Sequence, residues 1–227
     1  MKVKITIPES LEDITLCQYQ DFQNVLDNNE EHDNDFVYKK MVQIFCNIPL
    51  SVVDNMRQVD FVSIVNTLKE ILEEKHDIKM LIDFHDIKLG FIPKLDDITA
   101  GEFADLSKHI TSIKSMHRAM AVLYRPVRGS IKGGKYNIVE YTNTVEYSEA
   151  MKQLPMSVVQ SSLLFFWTLK IELLQATLKY LKEEEMKSTH GLAKSGDGIN
   201  PFTLLLEEIT LKLKTLQESH YTAYYTF

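Results

Sequence analysis

Apolar and polar side chains alternate at the start of the chain: Val3, Ile5 and Ile7 stand against Lys2, Lys4 and Thr6. This two-residue period predicts a half-buried strand that Pro8 ends. The period then lengthens. Thr15, with Gln18 three residues on, makes a capping box, so a helix is expected from Leu16. The acidic run 28–35 reads as a solvated loop and 36–45 as a second helix stopped by Pro49. Residues 52–74 carry Val59, Val62, Leu68 and Leu72, consistent with one or two amphipathic helices. Between Met80 and Ile92 the period changes again. Leu81, Phe84, Ile87, Leu89 and Phe91 around His85-Asp86 predict a hairpin, though no Asn-Gly turn is present.

Past Pro93 a second capping box, Thr99 with Glu102, predicts another helix, and residues 116–124 form the next, ended by Pro126. Gly129, Gly133 and Gly134 mark a flexible turn, 136–141 a short strand, and 148–154 a brief helix that Pro155 ends. The longest element is expected over 157–186. It is apolar nearly all round at 163–169, which predicts burial on several sides, and then narrows to a stripe of Ile171, Leu174, Leu178 and Leu181. Gly191, Gly196 and Gly198 make 187–200 a mobile linker. Asn200-Pro201 is a cap followed by proline at the first helical position, so a last helix should run to about Glu218. The fold class expected is α+β, predominantly α-helical, with a few short strands and hairpins. The expected organisation is 1–79, 80–155, 156–186, a linker at 187–200 and a C-terminal helix with an aromatic arm at 201–227, with 1–186 as one compact domain.

Residues 11–22 and 95–106 are similar. Leu, Asp, Ile, Thr and a second Asp are identical, and Glu12/Asp96, Gln18/Glu102, Tyr19/Phe103 and Phe22/Leu106 are conservative pairs. Each copy follows an Ile-Pro, Ile7-Pro8 or Ile92-Pro93. A later echo aligns 38–41 with 117–120 and Phe45 with Tyr124. The matched positions share one mechanism: a strand stop, an apolar staple, a threonine cap, and an amide or acid three residues on. Two accounts stay open, a pair of ordinary capped helices and a duplicated strand–helix–helix unit that serves as a binding scaffold.

Composition narrows the function classes. With 227 residues and 44 % hydrophobic content the chain can bury a real core. The net charge of −7 argues against nucleic acid as the main partner. A local basic face would have to form around Arg118, Arg125, Arg128, Lys132 and Lys135. Cys17 and Cys46 lie in apolar-periodic stretches with no second thiol at ligand spacing, so buried free thiols in a reducing cytoplasm are expected. Residues 1–5 carry no signal-peptide core, and the most apolar run, 163–169, falls far short of the ~20 residues of a membrane span. A cytoplasmic protein, or a part of something assembled there, is the expectation.

The familiar chemical motifs fail on inspection. Residues 129–135 nearly match a phosphate-binding loop, but Tyr136 stands where a Ser or Thr must hold Mg²⁺. The acidic residues of 27–35 lack the turn glycine and closing glutamate of a calcium loop. His109 and His117 are too far apart to be ligands on one helix face, and no Cys/His cluster accompanies them. His85-Asp86 reads as a polar turn, and nucleophile signatures do not appear. No catalytic, cofactor-binding or metal residue is assigned, and none of the three is expected. An enzyme would need a site at His85-Asp86 or in the 129–135 turn. The aromatic tail is the other candidate: Tyr221, Tyr224, Tyr225 and Phe227 either pack locally or anchor the chain on a neighbouring subunit.

Three segments carry a resemblance. They are Ile14-Thr15-Leu16-Cys17-Gln18-Tyr19-Gln20-Asp21-Phe22, Gly90-Phe91-Ile92-Pro93-Lys94-Leu95-Asp96-Asp97-Ile98-Thr99 and Met116-His117-Arg118-Ala119-Met120-Ala121-Val122-Leu123-Tyr124-Arg125-Pro126. With Leu154-Pro155-Met156 and Leu163-Leu164-Phe165-Phe166-Trp167, the set resembles a family of poorly characterised tailed-bacteriophage proteins, found among phages of the crAss-like and marine groups. It covers most of the chain and fades beyond Lys187. The resemblance implies a structural component of the virion, in the head–tail connector or tail, assembled in the host cytoplasm. Its partners would be other phage structural proteins and further copies of itself in a homo-oligomer. The alternative it leaves open is a tail-assembly chaperone that is not retained in the particle. No catalytic residues come with it.

Overall fold

A computed structural model of the chain describes residues 5–29, 34–93, 98–133, 135–143, 147–188 and 211. The chain divides into two compact units, Met1–Ser162 and Leu163–Phe227. The first contains α1 (Leu16–Asp27), α2 (Asn34–Phe45), α3 (Leu50–Asp54) and α4 (Gln58–Leu72), then the hairpin of β1 (Leu81–Phe84) and β2 (Ile87–Phe91). There follow α5 (Ala100–His109), α6 (Met116–Leu123), β3 (Tyr124–Lys132), β4 (Lys135–Ile138) and the start of α7 (Met156–Ser188). The fold is α+β and mostly helical, with a four-stranded antiparallel sheet in the order β1-β2-β3-β4. No helix of the described residues is long and apolar enough to cross a membrane.

Both capped helices start where the boxes place them, α1 after Thr15 and α5 after Thr99. The hairpin closes on His85-Asp86, with Phe84 paired to Ile87. His85 supplies the positive φ of 50° that an Asn-Gly turn would have supplied, a conformation histidine visits more readily than most side chains.

The first strand is absent among the described residues of its span. Ile5, Thr6 and Ile7 have no ladder, and the next bridge of the chain is made further on, at the entrance of α7. The amide of Leu16 donates to the carbonyl of Leu154 at 2.9 Å, and Met156 donates to Ile14 at 2.7 Å. Leu11, Ile14 and Leu16 are fully buried in that junction. Nor does Pro49 stop α2. That helix ends at Phe45, the chain reverses at Asn47 with φ 50°, and Pro49 caps α3. On α4 the helical period turns Val59 (79 % exposed) and Val62 outward, and the inward stripe is Ile64, Val65, Leu68, Ile71 and Leu72.

Pro126 does not follow a helix end but lies inside β3, into which α6 runs directly at Tyr124. β3 pairs with β2 through residues 124–126 and with β4 from Val127 on, so the missing proline N–H falls at the hand-over between partners. The predicted glycine turn at 129–134 is mostly strand. Gly129, with φ 77°, sits in an irregularity of the β3–β4 register, and Gly133, with φ 57°, lies in the turn; Gly134 lies outside the described residues. The next strand ends at Ile138 rather than Tyr141, and 148–154 holds a 3-10 turn, Ala150–Gln153.

The irregular β3 lets β4 reach back to β2. Tyr136 donates to the carbonyls of Phe91 at 2.8 Å and Met80 at 3.0 Å, and its ring lies where a side chain on Gly90 would project. A Cβ at Gly90 would stand 2.5 Å from Tyr136 Cε2. Gly90→Ala should therefore lower the unfolding free energy by about 1–3 kcal/mol, an overpacking cost. Most of that loss should disappear in a Tyr136→Ala background, as measured by urea unfolding. An equal penalty in both backgrounds would show that the ring is not the obstacle.

The burial of α7 is shifted from the expected place. Met156 to Ser162 is the fully buried stretch, whereas Leu163, Leu164, Phe165 and Trp167 are half-buried and Thr168 is exposed. Ser161 and Ser162 donate to the carbonyl of Val158 at 3.1 and 2.7 Å, so these two hydroxyls are buried with their bonds satisfied, whereas that of Ser157 has no partner among the described residues. In the second unit Ile171 and Leu178 are buried and Leu174 half-buried, which is the predicted stripe as far as side chains are described. α7 runs to Ser188, two residues into the expected linker of 187–200; the rest of that linker, the helix after Asn200-Pro201 and the aromatic tail lie outside the described residues, apart from Leu211, which is helical and exposed.

Candidate functional site

The two capping boxes are complete. Thr15 Oγ1 accepts from the Gln18 amide at 3.3 Å while Gln18 Oε1 accepts from the Thr15 amide at 3.0 Å. Thr99 and Glu102 repeat the arrangement at 3.2 and 2.7 Å. In both copies the residue three positions past the threonine also reaches the end of the next helix of its pair. Gln18 Nε2 donates to the carbonyl of Ile44 at 3.0 Å, at the close of α2. Glu102 Oε1 is 2.6 Å from Arg125 Nη2, just past the close of α6.

Local geometry explains why one copy uses an amide and the other a charge pair. Where α2 ends, the chain turns away at Asn47 and a terminal carbonyl is left facing Gln18. Where α6 ends, the chain continues as β3 and the carbonyl of Leu123 accepts from Ile92 at 2.9 Å. A side chain must then meet the clamp, and Arg125 does so. Phe45 and Tyr124, aligned in the sequence, are both buried beside these contacts, as are Met41 and Met120. These equivalences favour the duplicated-unit account for the helix pairs α1–α2 and α5–α6. The strand that should precede each pair is present only before the second among the described residues.

Glu102 and Arg125 are both buried, and Arg125 Nε has no hydrogen-bond partner. Arg125 is thus no part of a basic face, and of the other basic residues Arg118, Arg128 and Lys135 are exposed. Tyr141 covers the pair: its ring centroid is 5.8 Å from the guanidinium carbon and its hydroxyl donates to Asp105. Burial, with the Asp105 carboxylate beside it, pushes the Tyr141 phenol well above its ordinary range, so it remains a donor.

A second polar knot joins α1 to α6. Gln20 Nε2 donates to the Ile113 carbonyl at 2.7 Å and lies 3.3 Å from His117 Nδ1. An amide nitrogen only donates, so Nδ1 accepts and the ring proton sits on Nε2, which lies 3.5 Å from Glu149 Oε1. Burial and then Lys152 hold His117 below its ordinary pKa; burial and then Arg118 do the same to His109. Both rings are neutral at pH 7 and buried, and that of His117 is engaged by Gln20. Among the described residues no three His, Cys, Asp or Glu side chains gather as metal ligands. Of the two cysteines expected to be buried, Cys17 on α1 is only half-buried, and Cys46 is a buried free thiol raised to about 11 by burial, which leaves almost no thiolate. His85 and Asp86 are exposed turn residues.

Beside the first clamp lies an open cleft of about 390 Å³, lined by Pro8, Asp13, Gln18, Phe45, Cys46 and Asn47 among others. The second clamp also differs at its outer face, where Phe103 is 52 % exposed although its counterpart Tyr19 is buried. Of the predicted site residues, Thr15, Gln18, Thr99 and Glu102 cap as expected, while Tyr221, Tyr224, Tyr225 and Phe227 lie outside the described residues. Sequence reasoning missed Arg125, Tyr141 and Gln20. The one signal for Arg125 was a paired change between the copies: Gln18 with Cys46 becomes Glu102 with Arg125. Comparison with known protein families, curated proteins and solved structures found no match.

Proposed function

We propose that this chain is a structural component of a tailed-phage particle, placed in the head–tail connector or tail and acting through protein–protein contacts as one of several identical copies. The observation that carries the reading is where the polar groups are engaged. Glu102 with Arg125, Asp105 with Tyr141, and Gln20 with His117 all brace one helix against another element, and Cys46 is held as an inert thiol. What the first unit offers outward is shape: the cleft at the first clamp and apolar side chains such as Phe103, Ile87 and Val59. The tailed-phage resemblance of the motif set supplies the context. Its partners are then other structural proteins of the particle, its place is the virion, and its assembly occurs in the host cytoplasm.

Quantitative mass spectrometry of purified particles tests this. The expected result is the chain present at a fixed copy number that survives high-salt washing. Its absence from finished particles, with a soluble monomer or dimer in infected cells, overturns the reading and identifies an assembly chaperone instead.

A further inference from the structure

Gln20 of α1 and His117 of α6 are both buried and meet where the first helix pair touches the second. Chemistry sets the direction of that contact. Gln20 Nε2 is 2.7 Å from the carbonyl oxygen of Ile113 and 3.3 Å from that of Lys114. Carbonyls only accept, so the end of the amide turned toward them is the nitrogen. The same nitrogen is 3.3 Å from His117 Nδ1, which therefore accepts. An imidazolium carries protons on both ring nitrogens. A proton on Nδ1 would set donor against donor at 3.3 Å. Turning the amide over to offer Oε1 would press that oxygen against the two carbonyls instead. The joint fits the neutral ring and not the charged one.

The surroundings give the charged ring little compensation. Nε2 has no hydrogen-bond partner among the described residues, and Glu149 Oε1, 3.5 Å away, is the nearest acid to it. That carboxylate is largely exposed and is shared with Lys152 at 2.7 Å, so its attraction is screened. Lys152 of the same turn, Arg118 on the ring's own helix and His109 of α5, when charged, oppose a further positive charge. In the turn Ile113–Ser115 ahead of α6, Lys114 is paired with Asp27 of α1 at 2.7 Å. Past the end of α6, Arg125 is paired with Glu102 of α5, and from α1 the ring meets the uncharged Gln20. An unfolded chain protonates the ring near its ordinary value of 6.5, and burial, then Lys152, hold the folded ring below it. The joint is therefore whole above pH 6.5 and weakens as the pH falls past that value. We propose that protonation of His117 is an acid-operated release between the two helix pairs, freeing α1 from α6 while the hairpin and β3 stay in place. This goes beyond the reading of the chain as a particle component and does not depend on it.

Two measurements on the full chain and two variants test it. Nitrogen NMR of the imidazoles should show neutral His117 with its proton on Nε2 and titrating below pH 6.5. Amide hydrogen exchange, corrected for the intrinsic effect of pH on the chemistry, should be about tenfold faster at pH 5 than at pH 7 in α1 and in 113–117. One proton taken up below 6.5 sets a ceiling of about thirtyfold on that change. Strands β1 to β3 should show no matching change. In His117→Asn an amide oxygen near the place of Nδ1 accepts from Gln20 and cannot be charged, so α1 should exchange alike at both pH values. His109→Asn should keep the response of the unaltered chain. A proton on Nδ1, titration of His117 at or above 6.5, or a change in α1 below about twofold overturns the proposal. So does an equal rise in the strands, which would be unfolding of the whole unit. A response that survives in His117→Asn, or that His109→Asn abolishes, overturns it as well. Should His117→Asn not fold, the ring titration and the exchange of the unaltered chain decide.

Discussion

Glu102→Gln should lower the unfolding free energy by about 3–5 kcal/mol, the cost of leaving one member of a buried ion pair without the other. Arg125 is buried and Glu102 is the carboxylate it pairs with among the described residues, so no second carboxylate takes over when the charge on residue 102 is removed. The substitution isolates the pair from the cap. Glutamine completes the first capping box at Gln18, so it should complete the second as well. Loss of the cap itself, Thr99→Ala, should cost only about 1 kcal/mol. The two contributions are thereby separable in a single urea titration monitored by circular dichroism. Glu102→Gln with Arg125→Met should recover most of the loss, because an apolar side chain of similar length leaves no charge to solvate. A Glu102→Gln cost below about 1 kcal/mol would mean that water reaches the pair and that Arg125 is not held as described.

What the sequence made legible was what is local. A capping box is completed within four residues, and both boxes appeared where Thr15 and Thr99 placed them. The hairpin at His85-Asp86 was legible for the same reason, since alternation and a two-residue gap set its register. What was hidden depended on partners far along the chain. Ile5 and Ile7 have the period of a strand, yet a strand needs an edge, and the nearby backbone at Ile14 and Leu16 is bound to Leu154 and Met156. Pro126 breaks a helix in isolation, but here a neighbouring β2 had already drawn Tyr124 into a ladder. The serines of α7 misled in another way: hydropathy places burial at 163–169, whereas Ser157, Ser161 and Ser162 are buried because they are small. The clamps fall between these cases. Gln18 and Glu102 were visible as caps, but their second contacts, Ile44 and Arg125, lie beyond the reach of any local pattern.

Tyr124 concentrates the tertiary structure of the first unit at one side chain, and its replacement by alanine should cost about 3–5 kcal/mol. The ring is fully buried and meets Phe91 edge-on at 5.3 Å between centroids. Its hydroxyl donates to the carbonyl of Lys79 at 2.8 Å and lies 3.2 Å from the Ser162 hydroxyl, bringing together the start of the hairpin, the first residue of β3 and α7. Tyr124→Phe keeps the ring and removes only the hydroxyl, so its cost should be smaller, about 1–3 kcal/mol, from the orphaned Lys79 carbonyl. Alkaline pH should imitate that variant. Burial pushes the phenol from its ordinary value of 10.0 up to about 12. Between those values the unfolded chain gives up the proton and the folded chain keeps it. The contribution is therefore whole below pH 10 and declines as pH rises toward 12. Tyr124 alone should account for about 2–3 kcal/mol of that decline. Burial raises Tyr136 and Tyr141 in the same direction, so the unaltered chain should lose stability steeply in this window. In Tyr124→Phe the stability at pH 9 should be lower but its fall by pH 11.5 shallower, by the share that the missing phenol carried. Parallel declines in the two proteins, followed by urea midpoints at each pH, would show that the hydroxyl is solvated in the folded state and that the three-way junction is not closed around it.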